Sequence, residues 1–276
     1  MHTIARALLA GVAVSIAALT GMATLPVKAD LASTTWSELK PDVFGDREIL
    51  PGGGVLTMAA PSRPEDQRAV PVTMKTRLSD GRTIKSVTFI VDENPSPVAA
   101  VFKMGPDRTA MELAVNLRFN TGTFIRTIVE ASDGKLYMVK RYVKFAGGQS
   151  ACSAPPTGNP EEIAANMGKM SLTPKVKTTA ATALRRKMQL RVSHPNNTGM
   201  ALDQQTLLYI PLRMVTDLEV RQGDERVFAM AGSISLSENP IIDFDYRSNG
   251  AEKMHVQLKD SDKTLWEHEF PVGTGS

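Results

Sequence analysis

The chain has 276 residues, of which 42% are hydrophobic and 22% are charged, and its formal net charge is +3. A chain of this length and apolar content can bury one large core or two ordinary ones, which excludes intrinsic disorder. The small positive charge lacks the basic excess that binding to a phosphate backbone requires, so we expect no nucleic-acid partner. One cysteine and four histidines cannot form an intramolecular disulfide or complete a closed structural zinc site without carboxylates.

Residues 1–29 have the pattern of a cleavable secretory signal. The first six residues carry one positive charge and no acid, and an apolar run follows from Ala7 to Leu19. Small residues suggest cleavage before Asp30, with cleavage after Ala23 as the alternative. A transmembrane anchor is the competing interpretation, but the run is interrupted before Pro26, short of the roughly 20 residues that a span needs. We therefore expect an exported product outside the cytoplasm, without stable membrane insertion.

Residues 30–146 are predicted to form a short helix followed by a β-domain. Apolar residues in Thr35–Phe44 recur near helical spacing, which predicts a helix that stops at Gly45. Farther along, the apolar period changes to two, and Asp80-Gly81 and Asp133-Gly134 are typical hairpin turns. The predicted strands are Val70–Leu78, Lys85–Val91, Pro97–Met104, Met111–Phe119, Phe124–Ala131 and Leu136–Phe145.

A segment without bulky residues separates this domain from a second β-domain. Its sequence begins GGQSACSAPPTGNPEE, so we predict that residues 147–170 form a flexible linker. A short helix is predicted at Pro160–Met167, capped by Asn159. Residues 171–276 return to the strand period, with hairpin turns at Gly223-Asp224 and Asp260-Ser261-Asp262. The predicted strands are Lys175–Ala180, Lys187–Val192, Leu207–Leu212, Asp217–Arg221, Arg226–Ala231, Ile241–Arg247, Glu252–Leu258 and Thr264–Phe270.

The strand pattern predicts an all-β protein. Two sets of six to eight short strands, each about 100 to 120 residues long, are typical of immunoglobulin-like sandwiches. A weak internal echo supports a common architecture, because Glu93-Asn94-Pro95 and Glu238-Asn239-Pro240 each precede an apolar strand. We therefore predict two tandem immunoglobulin-like β-sandwich domains with a short N-terminal helix and a Gly/Ser/Pro-rich linker.

Cys152 is the residue expected to carry chemistry. A single cysteine in an exported chain is a buried inert side chain, an intermolecular bridge or a free reactive thiol. No Lys, Arg or His lies between Ala146 and Pro160, so no local cation is expected to lower the thiol pKa. An accessible, mobile thiol that a partner must activate is typical of a covalent carrier rather than of an enzyme nucleophile. The small residues expected to form its flexible arm are Gly147, Gly148, Ser150, Ala151, Ser153 and Ala154.

Several motifs give the chain a resemblance to known sulfur-carrier proteins. Residues 65–148 resemble SoxY, the sulfur-carrying subunit of the bacterial thiosulfate-oxidising complex, and residues 171–270 resemble its partner SoxZ. The SoxY-like motifs are Val70-Pro71-Val72, Glu93-Asn94-Pro95, Asp133-Gly134-Lys135 and Gly147-Gly148 before Cys152. The SoxZ-like motifs are His194-Pro195-Asn196-Asn197-Thr198-Gly199, Ile210-Pro211, Val227-Phe228, Asn239-Pro240 and Phe244.

The order of the two parts in one chain, with the added Trp36 helix and Phe44-Gly45-Asp46-Arg47, is similar to fused SoxYZ-like carriers associated with quinoprotein dehydrogenases. The resemblance implies a periplasmic carrier without its own catalytic machinery, whose Cys152 holds a cargo group and whose two domains pair within the chain. It also implies a periplasmic oxidoreductase partner, such as a quinoprotein dehydrogenase or a c-type cytochrome. SoxY carries its cysteine in a Gly-Gly-Cys-Gly-Gly segment at a free C-terminus, whereas Cys152 is internal.

Two other classes of function remain open at this point. The chain could be a binding or assembly module in which Cys152 is incidental. It could also be a Cu(I) chaperone, because Met167 and Met170 form a Met-x-x-Met pair and a thiol is a soft ligand. We expect no resident cofactor and no metal site. His194, in a Ser-His-Pro turn, is expected to be a hydrogen-bonded loop residue, since no second histidine lies at metal spacing.

Overall fold

The computed structural model describes residues 27–145, 147–176 and 184–272, with side chains described from residue 35 onward. Residues 1–26 of the expected signal segment lie outside the described residues, as do residues 177–180 of one predicted strand. The elements in chain order are α1 (Val27–Phe44), β1 (Ile49–Pro51), β2 (Leu56–Ala59), β3 (Val70–Arg77), β4 (Ile84–Val91), β5 (Val98–Met104), β6 (Ala110–Leu117), β7 (Thr123–Ala131), β8 (Leu136–Val143), α2 (Pro160–Asn166), β9 (Met170–Pro174), β10 (Arg185–Val192), β11 (Val215–Gln222), β12 (Glu225–Gly232), β13 (Ile241–Arg247), β14 (Lys253–Asp260) and β15 (Leu265–Pro271).

The strands form two sheets, and the predicted all-β class with immunoglobulin-like sandwiches is confirmed. The larger sheet has the order β1-β8-β7-β4-β5-β12-β11-β14-β15, and the smaller has the order β2-β3-β6-β13-β10-β9. In β3 and β6, buried residues alternate with more exposed ones, so one face of each strand lies on the core. A single apolar cluster joins residues of both sheets and of both halves of the chain.

Both sheets run through the two halves of the chain. In the larger sheet, β5 pairs with β12 and places Val101 opposite Ala231, and in the smaller sheet β6 pairs with β13. The ring of Phe228 lies 5.4 Å from that of Phe102 and 5.2 Å from that of Phe244, so an edge-to-face aromatic stack crosses the same boundary. The sandwiches are therefore joined edge to edge as well as by the connecting segment.

Helix α1 packs on the outside of the larger sheet. The helix starts earlier than the sequence predicted, but its apolar face is the predicted one, and Trp36 packs against a small buried cluster. Beneath it, the fully buried Arg126 donates three hydrogen bonds to both carboxylate oxygens of Asp92, and its guanidinium lies 4.2 Å from the Trp36 ring centre. This ion pair and cation–π contact fix the helix on the sheet. None of the helices in the described part of the chain has the length and apolar character needed to cross a bilayer.

Two local predictions are wrong. Leu207–Leu212 is not a strand: it belongs to an irregular loop, where the Asp203 carboxylate accepts the backbone N–H groups of Gln205 and Thr206 and turns the chain. Asp80-Gly81 does not close a hairpin, because β3 and β4 lie in opposite sheets and this turn carries the chain between them. The hairpin predicted at Asp133-Gly134 is confirmed by the pairing of β7 with β8.

Candidate functional site

Cys152 lies in a short turn between β8 and α2, and its side chain is only 1% exposed. The backbone N–H of Ser153 donates to the carbonyl of Ser150 at 3.0 Å and closes the turn. The neighbouring Ala151 is also buried, at 2% exposure. The prediction of an accessible thiol is therefore wrong for this conformation, whereas the role of Cys152 as an attachment point stays a prediction.

The two halves of the chain each supply one hydrogen bond to the backbone of Cys152. From the first half, the side-chain oxygen of Asn120 accepts the Cys152 N–H at 3.3 Å. From the second half, the hydroxyl of Thr198 donates to the Cys152 carbonyl at 2.5 Å and accepts the N–H of Met200 at 3.1 Å. These contacts explain how a segment of small residues becomes buried without a bulky side chain of its own.

The predicted arm divides into an exposed part and a packed part. Gly147 and Gly148 are exposed and have φ angles of 96° and 94°, a region that residues with a side chain rarely adopt. Beyond them, Ser150, Ser153 and Ala154 are half-buried. The two glycines therefore form a bend that leads from β8 into the buried turn, and the flexibility of the arm stays a prediction.

Arg118 is the charged side chain that the sequence analysis missed at this site. It follows β6 and is buried, and its guanidinium donates to the carbonyls of Asn196, Pro195 and Ile234 at 2.5, 3.2 and 3.2 Å. Burial raises the pKa of the Cys152 thiol, and the positive charge of Arg118 opposes that rise. Burial dominates, so the thiol is protonated near neutral pH while the turn is closed.

The loop of residues 194–199 supports the site from the second half. The imidazole of His194 is buried, and its Nδ1 accepts the N–H of Asn196 at 3.0 Å, as expected for a hydrogen-bonded loop residue. Its Nε2 lies 3.6 Å from Asp260, and burial lowers the pKa of the ring. Among the described residues, no group of three or more His, Cys, Asp and Glu side chains is placed to hold a metal ion.

The loop that continues from Thr198 exposes an unusual amount of apolar surface. Two isolated bridges, Asn197 with Arg213 and Leu202 with Tyr209, hold it as a projecting hairpin-like structure. The side chains of Leu207, Leu208 and Tyr209 are 70%, 68% and 69% exposed, and Leu202 and Leu212 are partly exposed beside them. We call this surface, formed by Leu202, Leu207, Leu208, Tyr209 and Leu212, the apolar loop.

Comparison with protein families matches the two halves of the chain to sulfur-oxidation proteins. Residues 40–150 match the family described as "Sulfur oxidation protein SoxY", and residues 176–271 match "Sulphur oxidation protein SoxZ". The chain belongs to this SoxY/SoxZ family, with a SoxY part followed by a SoxZ part in one chain. Cys152 lies two residues beyond the end of the SoxY match.

Solved structures give a weaker comparison. A SoxY sulfur carrier from Chlorobium limicola f thiosulfatophilum is 24% identical with a TM-score of 0.36, and the match covers 42% of this chain and 96% of that one. A β-glycosidase from Bacteroides vulgatus is 8% identical with a TM-score of 0.23, over 79% of this chain and 24% of that one. A search of curated proteins finds no match.

Proposed function

We propose that this protein is a periplasmic covalent carrier that holds a sulfur-containing cargo group on Cys152 and presents it to partner enzymes. The observation that carries the proposal is the position of the single cysteine, next to the SoxY match and held at the junction by one hydrogen bond from each half. The membership of both parts in a sulfur-oxidation family supports it. The protein supplies the attachment point, and the partner supplies the chemistry.

Presentation of the cargo requires the buried turn to open. Opening breaks the bonds from Asn120 and Thr198 and exposes two small side chains, a local change that leaves both sheets intact. The exposed bend at Gly147 and Gly148 supplies backbone freedom at one end of the moving segment. The carrier then alternates between a closed state, in which the sulfur is shielded from solvent, and an open state that a partner can bind.

The partner that we propose is a periplasmic oxidoreductase, either a quinoprotein dehydrogenase or a c-type cytochrome. The apolar loop is the surface best placed to meet it, because Thr198 at the base of the loop holds Cys152. Exposed apolar patches of this kind mark protein interaction sites. Contact with a partner there would disturb the hydrogen bond that keeps the turn closed.

One alternative has an observation in its favour. The burial of Cys152 is what a binding or assembly module with an incidental cysteine would show. The two proposals differ in whether function needs the thiol. The replacement Cys152→Ser separates them, because it keeps the size and the backbone contacts of the residue but removes the sulfur.

The experiment compares thiosulfate consumption by host cells that carry wild-type protein, Cys152→Ser or Ser153→Ala in place of the chromosomal copy. Intact mass of the purified proteins, before and after treatment with reductant, detects a labile adduct. A carrier loses both the adduct and the oxidation with Cys152→Ser, whereas Ser153→Ala retains both. Normal oxidation by the Cys152→Ser strain contradicts the carrier function and supports an assembly role.

A further inference from the structure

The smaller sheet opens into a cleft where the two halves of the chain meet. The pairing of β6 with β13 ends at Leu113 opposite Phe244. Beyond that point each strand stays paired only with its other neighbour, β6 as far as Ala110 and β13 as far as Arg247. The space between them belongs to a cleft of about 480 Å³ on the outer face of the sheet. This volume lies in the range of small-molecule sites in proteins.

Cationic side chains outnumber carboxylates in the lining of this cleft. The four cations, two from β3 of the first half and two from β10 of the second, are Lys75, Arg77, Arg185 and Lys187. The two carboxylates are those of Glu112 and Asp245. The cleft therefore carries an excess of positive charge, on walls that come from different halves of the chain.

Glu112 is shared between the two walls and neutralises neither of them fully. Its Oε2 atom lies 2.8 Å from Nζ of Lys187 and 3.3 Å from Nζ of Lys75. Two ammonium groups, one from each half, therefore converge on a single carboxylate oxygen. The exposed side chain of Arg77, on the same face of β3 as Lys75, takes part in none of the side-chain hydrogen bonds and ion pairs found among the described residues. Part of the positive charge in the cleft thus lacks a partner.

Two further features add positive charge at the same end of the sheet. Arg185 and Arg247 are direct cross-strand partners, an arrangement that is destabilising for like charges. The buried Arg108 donates to the backbone carbonyl of Asp245 at 3.1 Å, and the carboxylate of Asp245 already pairs with Arg185. Natural proteins break such local rules chiefly at functional sites. The repelling cations around an open cleft therefore point to a ligand that supplies negative charge.

We propose that this cleft binds a small polyanion, a compound with two or more negatively charged oxygen groups such as a diphosphate or a tricarboxylate. The cleft lies at the opposite end of β6 from Arg118, so the proposal goes beyond the carrier function and does not depend on it. A monoanion only replaces Glu112 as the partner of the two lysines. A polyanion replaces Glu112 and also supplies a counter-charge to Arg77. Because its cations come from both halves, the bound ligand ties the halves together.

Isothermal titration calorimetry of the full chain with pyrophosphate and with citrate, at low and constant ionic strength, tests the site. We expect at least one of them to bind with one molecule per chain, and the comparison distinguishes a phosphate ligand from a carboxylate ligand. Acetate, which carries a single charge, should bind at least about tenfold more weakly. The proposal is overturned if neither polyanion binds at millimolar concentration, or if acetate binds as tightly.

Charge variants test whether the polyanion binds in the cleft. Lys187→Met should weaken binding about tenfold, because one favourable charge interaction is lost. Glu112→Gln should strengthen binding by a similar factor, since it removes the carboxylate that competes for both lysines. Lys253→Met is the matched control, because Lys253 also forms an ion pair at 2.8 Å, with Glu269, but lies on the larger sheet. Equal affinities of the two lysine variants, or no gain of affinity in Glu112→Gln, overturn the proposal.

A measurement on the wild-type protein covers the case in which a variant does not fold. A ligand that binds only the folded chain raises its melting temperature as the ligand concentration rises. Millimolar pyrophosphate or citrate, whichever binds, should therefore raise the melting temperature, whereas sodium chloride at the same ionic strength should not. An equal rise with sodium chloride is a general salt effect and overturns the proposal.

Discussion

Thr198→Val tests the idea that a local, hydrogen-bonded closure buries the thiol. Valine keeps the shape of the side chain but removes the hydroxyl that donates to the Cys152 carbonyl and accepts the N–H of Met200. Both backbone groups then lack a partner while the turn is closed. In the open turn, water can hydrogen-bond the Cys152 carbonyl, so the replacement should shift the equilibrium toward the open state.

The size of the effect follows from the contacts. Opening breaks two hydrogen bonds worth about 1 kcal/mol each. It also exposes the small side chains of Ala151 and Cys152, worth about 1 kcal/mol each, and returns some chain entropy. An opening free energy of roughly 3 kcal/mol corresponds to less than about one open molecule in a hundred. Loss of the Thr198 hydroxyl should remove about 1.4 kcal/mol and raise the open population about tenfold.

Alkylation of Cys152 by iodoacetamide under native conditions measures this population. When closing is faster than alkylation, the observed rate is the rate of an exposed thiol multiplied by the open fraction. Wild-type protein should therefore react at least about a hundredfold more slowly than the same chain in denaturant, and Thr198→Val about tenfold faster than wild type.

Thr76→Val is the matched control. The buried Thr76 hydroxyl also donates to a backbone carbonyl, that of Val55 at 2.9 Å, but it lies in the first half away from the turn. Thr76→Val should lower the urea midpoint without accelerating alkylation. If Thr198→Val leaves the alkylation rate at the wild-type value, or if wild-type Cys152 reacts as fast as in denaturant, the closed-turn argument is wrong.

Three further predictions concern the stability of the fold. Arg126→Met should cost about 3 to 5 kcal/mol in urea unfolding, because it strands the buried Asp92 carboxylate, and adding Asp92→Asn should recover part of that loss. Burial lowers the pKa of His194 from 6.5, so the unfolded chain binds the proton more readily than the folded chain. The resulting stability is present above about pH 6.5 and is lost as the pH falls. His194→Gln should therefore reduce the pH dependence of urea midpoints measured between about pH 7.5 and pH 5. Gly168→Ala should lower the melting temperature by several degrees. The reason is that the φ of Gly168 is +78° and that a Cβ would lie 2.2 Å from the Trp266 indole. An unchanged melting temperature would contradict this packing.

The strands could be predicted because most of them have one buried face. In β3 and β14 the buried side chains alternate regularly, and the predicted bounds agree with the structure within about two residues. The same signal failed at Leu207–Leu212, because a surface loop that exposes apolar side chains gives a similar pattern. Hydrophobic periodicity identifies a strand only when the apolar residues are buried.

The weak sequence echo between the halves has a structural counterpart. In the first half, the side-chain oxygen of Asn94 accepts the N–H of Asn120, and in the second half that of Asn239 accepts the N–H of His194. Each asparagine therefore supports a loop that contributes to the Cys152 site. Asn94 supports Asn120, which contacts Cys152, and Asn239 supports the start of the loop that contains Thr198. The motif was visible in the sequence, but the loops it supports were not.

The environment of Cys152 could not be predicted, because it comes from distant parts of the chain. The flanking residues are small and uncharged, which indicated an exposed thiol without a nearby cation. In the structure, Asn120 and Arg118 approach from the end of β6, and Thr198 approaches from the second half. The residues that flank a position indicate how readily that segment packs by itself. They do not indicate which distant segments will cover it.

The edge-to-edge joining of the two halves explains how the turn that contains Cys152 is held closed by both of them. The pairing of β6 with β13 brings the end of β6, which carries Arg118 and Asn120, next to the loop that contains Asn196 and Thr198. The connection between the halves must pass this junction, and Cys152 lies on it. Neither half alone supplies both hydrogen bonds to the turn, so the closed state of the thiol depends on the alignment of the two sandwiches. Any partner or substitution that shifts this alignment should change the exposure of Cys152 before it unfolds either sheet.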